Sequence, residues 1–177
     1  MNRKPQETQE PQIYCVICQE DSQSSKADEA KKHNGKVAAE TVAVARKIKA
    51  LVGTRPIRLL TGCDQRNLIS SKILGDELDV DSVYSNSLSN GTLEITDAKR
   101  LIREHIWDRN TAYVVMVENE LDGATFLYAI LKELFNHTDM PHAKRVEMTQ
   151  RGWKVGMRTG SVESIMDATI PVECETD

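Results

Sequence analysis

The feature that most constrains this chain is a short apolar run, AYVVMV at Ala112–Val117, that does not alternate with polar residues. A strand with one face in water alternates apolar and polar side chains, because successive side chains point to opposite faces. A continuous apolar run is typical of a central strand that is covered on both faces. The run therefore predicts the middle of a sheet with helices packed on both sides.

Helical and strand patterns alternate on either side of this run. The predicted elements are a strand from Ile13, a helix from Gly35 to near Gly53, a strand at Ile57 to Thr61, a helix from Gln65 to about Leu74, a helix from near Asp97, the strand at Ala112 to Val117, a helix from about Asp122 to Phe135, and two strands around an Arg-Gly turn in RVEMTQRGWKVGM. A polar stretch, SNSLSNG, separates the second and third helices. This order predicts a three-layer α/β/α sandwich with a mostly parallel central sheet.

The helical spacing also predicts which side chains face the core. They are Val37, Thr41, Val44, Ile48 and Leu51 in the first helix, Leu68, Ile69 and Ile73 in the second, Leu101, Ile102 and Ile106 in the third, and Phe126, Leu127, Ile130, Leu131 and Leu134 in the fourth. Trp107 and Trp153 are interpreted as packing residues rather than ligand platforms.

Composition sets the limits of the domain and of its partners. Residues 1–11 are polar without an apolar period and are interpreted as a flexible arm, and residues 12–177 as one domain. The apolar runs are far shorter than the roughly 20 residues of a membrane helix, and the polar start does not resemble a signal peptide. The net charge of -4, with basic and acidic residues mixed, argues against nucleic acid. We therefore expect a soluble cytoplasmic protein that binds neither a membrane nor nucleic acid.

In a parallel sheet, ligands bind at the carboxyl ends of the strands. Three segments follow predicted strands and compete for one such site: Cys18 to Asp21, Gly62 to Arg66, and Glu118 to Asp122. We expect their side chains to converge.

Cys15 and Cys18 form a Cys-x-x-Cys pair, but an offset of three residues places them on opposite faces of an extended strand. No helical pattern directly follows Cys18, as a thioredoxin-like motif requires, and no second cysteine pair or His spacing suggests zinc. We interpret Cys15 as a core residue and Cys18 as the end of the strand, with no metal site and no cofactor.

The first of these strand ends resembles the histidine phosphatase superfamily, with its phosphoglycerate mutase-like fold, and especially its small phosphohistidine phosphatases. In that superfamily the first strand ends in Arg-His-Gly-Glu. Here the corresponding residues are Ile17, Cys18, Gln19 and Glu20, so only the glutamate matches.

The other two strand ends are similar to later motifs of that superfamily. A Ser-Ser-x-x-x-Arg-x-x-x-Thr pattern follows the second strand there, and the matching residues here are Thr61, Gly62, Arg66 and Ser70. A small residue, a second His and a Gly or Glu end a later strand there, and the matching residues here are Glu118, Asn119 and Glu120. Asp122 before an apolar helix also resembles the phosphohistidine phosphatases.

The resemblance implies a phosphatase site that has lost most of its groups. In the superfamily one histidine attacks phosphorus while two arginines and a second histidine neutralise the phosphoryl oxygens. Ile17 removes one arginine, Cys18 replaces the nucleophile and Asn119 replaces the second histidine, so Arg66 alone remains. Cysteine phosphatases hold their thiolate in a Cys-x5-Arg loop, and position 24, where the arginine after Cys18 would stand, is Ser.

Three hypotheses follow from these departures. The leading one is a non-catalytic, histidine-phosphatase-like protein that binds an unknown protein or small molecule, with no catalytic residue expected at the degenerate positions. The second is an active phosphatase or other phosphoryl-transfer enzyme that uses Cys18 and Arg66. The third is an unrelated α/β domain whose strand ends mimic the pattern. The ligand-binding candidates are Cys18, Glu20, Arg66, Glu118, Asn119 and Glu120.

Arg66 is accompanied by four acidic residues at these predicted strand ends, namely Glu20, Glu118, Glu120 and Asp122. Strand alternation predicts that Glu118 and Glu120 share a side, and we expect one of the carboxylates to hold Arg66 in an ion pair. In the alternative, all four acids face solvent and Arg66 caps a backbone carbonyl.

Overall fold

The structure is a computed structural model that describes residues 12–18, 24–64, 68–89, 91–135, 152–156 and 161–170. Its strands are β1 (Gln12–Ile17), β2 (Ile57–Thr61), β3 (Ser82–Tyr84), β4 (Ala112–Val117), β5 (Gly152–Gly156) and β6 (Ser161–Ser164). Its helices are α1 (Ala27–Val52), α2 (Ile69–Leu78), α3 (Ile95–His105) and α4 (Glu120–Phe135). Short 3₁₀ turns lie at Asn86–Leu88 and Ile165–Asp167.

The strands form one sheet in the order β3-β2-β4-β1-β5-β6. Strand β4 lies between β2 and β1, is parallel to both, and is buried at all six positions. The prediction of a central strand at Ala112–Val117 is confirmed. The sheet is mixed, however, because β5 pairs antiparallel with β1 and β6 pairs antiparallel with β5. The expectation of a mostly parallel sheet therefore holds for β3, β2, β4 and β1 only.

Helices cover both faces of the sheet, as the three-layer prediction required. On one face α3 and α4 pack over Cys15, Val115 and Trp153. On the other face α1 and α2 pack over Cys18, Val114 and Met116. Cys15 and Cys18 thus belong to separate buried clusters, and the prediction that they face opposite ways is confirmed.

Two helix boundaries differ from the predicted ones. Helix α1 begins at Ala27 rather than Gly35, and its first turns are mostly exposed, so they carry no apolar period. Helix α2 covers Ile69–Leu78 rather than the span from Gln65 to Leu74. Its buried residues are Ser70, Ser71, Leu74 and Leu78, whereas the predicted core residues Leu68, Ile69 and Ile73 are only partly buried.

The correction in α2 has a physical reason in its contact with α1. Thr41 of α1 and Ser70 of α2 place their hydroxyl oxygens 3.4 Å apart, and Thr41 also donates to the carbonyl of Val37. Small side chains let two helices approach closely, so a serine takes the inward position that an apolar side chain usually fills. The predicted inward-facing residues of α1 are all buried: Val37, Thr41, Val44, Ile48 and Leu51.

Elsewhere the core prediction is partly right. Leu101, Ile102, Ile106, Phe126, Leu127 and Ile130 are buried, and Leu131 is partly buried. Leu134, by contrast, is exposed. Trp153 is buried and stacks on Phe126 at 6.0 Å between ring centroids, but Trp107 is 71% exposed, so its interpretation as a packing residue is wrong.

The strand predicted at the end of RVEMTQRGWKVGM is present as β5, whereas β3 and β6 were not predicted from the sequence. The predicted Arg-Gly turn is wrong, because Gly152 is the first residue of β5, and the strand predicted before it lies outside the described residues. Strand β3 was not predicted, since it has only three residues beside the serine-rich stretch. Among the described helices, none has the length and apolar character needed to cross a bilayer.

Gly152 lies where β5 meets β1, opposite Val16. A Cβ atom there would lie 2.8 Å from the carbonyl oxygen of Cys15 and 2.7 Å from Cδ1 of Ile165. The first of these atoms is backbone inside the sheet and cannot move without breaking the β1–β5 pairing.

We predict that Gly152→Ala lowers the free energy of unfolding by about 1–3 kcal/mol, because overpacking forces the backbone to shift. The matched control is Gly35→Ala, in the middle of α1, where no atom lies within 4 Å of the new Cβ. That variant should be stabilised by about 0.5–1 kcal/mol, since alanine favours helix. Urea denaturation of both variants measures the difference, and equal stability of Gly152→Ala and the unaltered chain would contradict the prediction.

Candidate functional site

The carboxyl ends of β2, β4 and β1 lie side by side at one edge of the sheet, because the three strands are parallel neighbours. The backbone N–H of Cys18 donates to the carbonyl of Val117 at 2.8 Å, which joins the ends of β1 and β4. The structure thus brings Cys18 beside the segment that starts at Glu118. Glu20 and Arg66, the other two candidates, lie outside the described residues.

Cys18 occupies the position of the nucleophile in the resemblance, yet its side chain is buried. The residue is 2% exposed and belongs to the apolar cluster between the sheet and α1 and α2. Burial raises the pKa of the Cys18 thiol well above its ordinary value, and the carboxylate of Glu118 raises it further. Because a thiolate and not a thiol is the nucleophile, Cys18 is unreactive at neutral pH in this environment.

Asn119 caps the helix that follows β4. Its side-chain oxygen accepts a hydrogen bond of 2.9 Å from the backbone N–H of Asp122, in the first turn of α4. This bond satisfies one of the N–H groups that a helix start leaves without a partner inside the helix. Asn119, which the resemblance aligns with the second histidine, therefore has a structural role as a helix cap.

Of the three described acids at these strand ends, Asp122 is the buried one, at 3% exposure. Its Oδ1 accepts a hydrogen bond of 2.9 Å from the backbone N–H of Leu93. A negative charge in the first turn of a helix is also favoured by the helix dipole. The alternative in which all four acids face solvent is therefore wrong for Asp122.

Glu118 and Glu120 do not share a side by strand alternation, and this part of the prediction is wrong. Strand β4 ends at Val117, Glu118 lies in a bend, and Glu120 is the first residue of α4. Glu118 is partly buried beside Cys18, whereas Glu120 is exposed. The alternation rule failed because the chain leaves the extended conformation one residue after the apolar run.

The serine-rich stretch, interpreted from sequence as a separator, is attached to the same edge. We call residues 85–89 and 91–94 the serine loop. The backbone N–H of Ser85 donates to the carbonyl of Thr61 at 2.9 Å, and the backbone N–H of Cys63 donates to Oγ of Ser89 at 2.7 Å. Oγ of Ser89 in turn donates to the carbonyl of Ser85 at 3.0 Å.

The serine loop is therefore held at the ends of two strands, by Thr61 at the end of β2, by Cys63 just after it, and by Asp122 in the first turn of α4, which follows β4. Gly62 leaves room for it, since a Cβ at this position would lie 2.5 Å from the carbonyl oxygen of Leu88. The sequence carries a signal for this role, because serine hydroxyls in turns often bond to nearby backbone groups, and Ser85, Ser87 and Ser89 stand at alternate positions.

Comparisons with known proteins give few matches. No protein-family model matches the chain, and no curated protein matches its sequence. Among solved structures, the chain is similar to a phosphoglycerate mutase from Plasmodium falciparum, with 10% identity and a TM-score of 0.48 over 87% of this chain and 89% of that one. It is also similar to a protein from Agrobacterium tumefaciens named as phosphohistidine phosphatase SixA, with 14% identity and a TM-score of 0.46 over 75% of this chain and 84% of that one.

Proposed function

We propose that this chain is a non-catalytic, histidine-phosphatase-like protein that binds a protein or small-molecule partner at the carboxyl edge of its sheet. The observation that supports the proposal most is the burial of Cys18, at 2% exposure, in the place of the nucleophile. In-line attack on phosphorus needs a nucleophile within reach of the substrate and in its reactive ionisation state. Cys18 meets neither condition in this structure.

Two further positions support the loss of catalysis. Ile17, where the resemblance implies a guanidinium, is 8% exposed and packs in the cluster with Val117 and Phe126. An apolar side chain offers no hydrogen bond to a phosphoryl oxygen. Asn119 is occupied as the cap of α4, and an amide carries no charge to neutralise a transition state.

The ligand candidates of the proposal remain Cys18, Glu20, Arg66, Glu118, Asn119 and Glu120. Asn119 and Glu120 are the exposed members in the described part of the chain. We infer from composition that the protein is soluble and cytoplasmic, and from the absence of motifs that its binding function needs no metal and no cofactor.

The alternative is an active phosphatase that uses Cys18 and Arg66. It requires the Cys18 thiol to leave the apolar cluster and to lose its proton beside the Glu118 carboxylate, which opposes a second negative charge. Both steps are unfavourable, so the non-catalytic function is the better proposal.

We predict no turnover above the uncatalysed rate with phosphohistidine peptides or with small phosphomonoesters. The reason is the protonated, buried thiol at the nucleophile position. Phosphate release, measured on the unaltered chain and on Cys18→Ala in parallel, checks the prediction. Turnover that disappears in Cys18→Ala would establish the alternative instead.

The same thiol should resist alkylation. In the native protein at pH 7.5 we expect iodoacetamide to modify Cys63, which is partly exposed, and to leave Cys15 and Cys18 unmodified. Because the folded pKa of Cys18 is raised, increasing the pH to 9, just above the ordinary cysteine value of about 8.5, should not speed its reaction. Peptide mass spectrometry after a time course locates the label, and a urea-unfolded sample shows that all sites react when exposed. Rapid native labelling of Cys18 would contradict its burial.

Arg66 gives a prediction about anions. If a neighbouring carboxylate holds Arg66, inorganic phosphate should bind no more tightly than about 1 mM by calorimetry, a dissociation constant that corresponds to about -4 kcal/mol. Arg66→Ala should then destabilise the fold, because it leaves a carboxylate without its partner. Arg58→Ala, which removes an exposed guanidinium from β2, is the matched control. Tight phosphate binding that Arg66→Ala abolishes would show that the edge of the sheet is still an anion site.

A further inference from the structure

A cavity lies between α2 and the outer strand β3, near the carboxyl end of β2. Its volume is about 560 Å³, within the range of about 300–1,000 Å³ that small-molecule sites occupy. Thr61, Lys72 and Tyr84 line it together with three aspartates, Asp76, Asp79 and Asp81. Cys18, Glu118, Asn119 and Glu120 are not among its lining residues.

The charges of this cavity are unbalanced. Asp76, Asp79 and Asp81 bring three carboxylates against the single ammonium of Lys72. Within the part of the chain that the structure describes, no ion pair reaches any of the three aspartates. Carboxylates without partners attract cations and repel phosphates, so the occupant favoured by charge is positive.

The spacing of the acids decides between a metal ion and an organic cation. A metal ion needs several oxygen ligands at one point, at about 2.0–2.6 Å. Among the described residues, no three acidic, histidine or cysteine side chains come together closely enough to hold one. Carboxylates that line one cavity but do not converge on one point are suited to a ligand whose positive charges are also separated.

Two other lining residues point to a ligand with N–H groups. Thr61 is 1% exposed, and its hydroxyl has no hydrogen-bond partner among the described residues. A buried hydroxyl without a partner is unfavourable, and a hydrogen-bond donor from a ligand would offset that cost. Tyr84 is 49% exposed and lines the same cavity, and the face of a tyrosine ring attracts ammonium groups.

We propose that this cavity binds an aliphatic oligoamine, a linear molecule with two or more protonated amino groups. Its ammonium groups pair with separate aspartates and lie against the ring of Tyr84, and one N–H reaches the hydroxyl of Thr61. The proposal does not rest on the loss of catalysis at the sheet edge, since none of the residues proposed for that site takes part.

The test uses calorimetry on the full chain with spermidine as the probe, at 150 mM salt. We expect saturable binding of one molecule per chain, weakened at least tenfold in the double variant Asp79→Asn/Asp81→Asn. Asparagine is a suitable replacement at position 79, because Asp79 has a left-handed backbone with φ of 54° and asparagine tolerates it. The matched control is Asp28→Asn/Glu29→Gln, which removes two exposed acids from the start of α1 and should leave the affinity within twofold.

The variant Thr61→Val distinguishes an effect on ligand affinity from an effect on folding stability. Valine keeps the shape of threonine and removes the hydroxyl, so the variant should be at least as stable as the unaltered chain while it binds spermidine more weakly. Tyr84→Phe should retain affinity, and Tyr84→Ala should lose part of it. The proposal is overturned if spermidine does not bind, if the control pair weakens binding as much as the cavity pair, or if magnesium or calcium displaces spermidine at equal concentration.

Discussion

Every backbone group of β4 must find its hydrogen-bond partner on a neighbouring strand, because all six residues of this strand are buried away from water. Strand β2 supplies partners on one side and β1 on the other, in fixed parallel registers. This requirement determines where three strands end, and so which loops meet at one edge of the sheet. Cys18 lies beside the segment that begins at Glu118 because β1 and β4 are parallel neighbours that end together.

At that edge, polar groups are engaged in holding the loops together. Asn119 caps α4, Asp122 holds the backbone of Leu93, and Ser89 accepts from the backbone of Cys63. An active site keeps such groups available for its substrate, oriented but not consumed by the fold. Glu120 is exposed, and Asn119 is exposed as well although its side-chain oxygen caps α4. Polar atoms of an active site remain free to bind substrate, whereas polar atoms that hold loops together are already hydrogen-bonded within the fold.

Sequence reasoning succeeded where a local pattern determines the outcome. The strand at Ala112–Val117 followed from six apolar residues in a row, and the opposite orientations of Cys15 and Cys18 followed from strand alternation. It failed where the outcome depends on contacts between distant segments. Ser70 is buried because α1 approaches α2 closely, and Asp122 is buried because it reaches Leu93, and neither fact is visible in the neighbouring residues. Arg66 and Glu20, which lie outside the described residues, remain predictions.

The sheet separates the interior into two apolar clusters, and β1 contributes alternate residues to each. Tyr14 and Val16 belong to the cluster under α1 and α2, while Ile13 and Cys15 belong to the cluster under α3 and α4. Side chains on opposite faces of a strand share no packing neighbours, so the effects of substitutions in the two clusters should add rather than interact. Each half of the core is therefore free to change its side chains without a compensating change in the other.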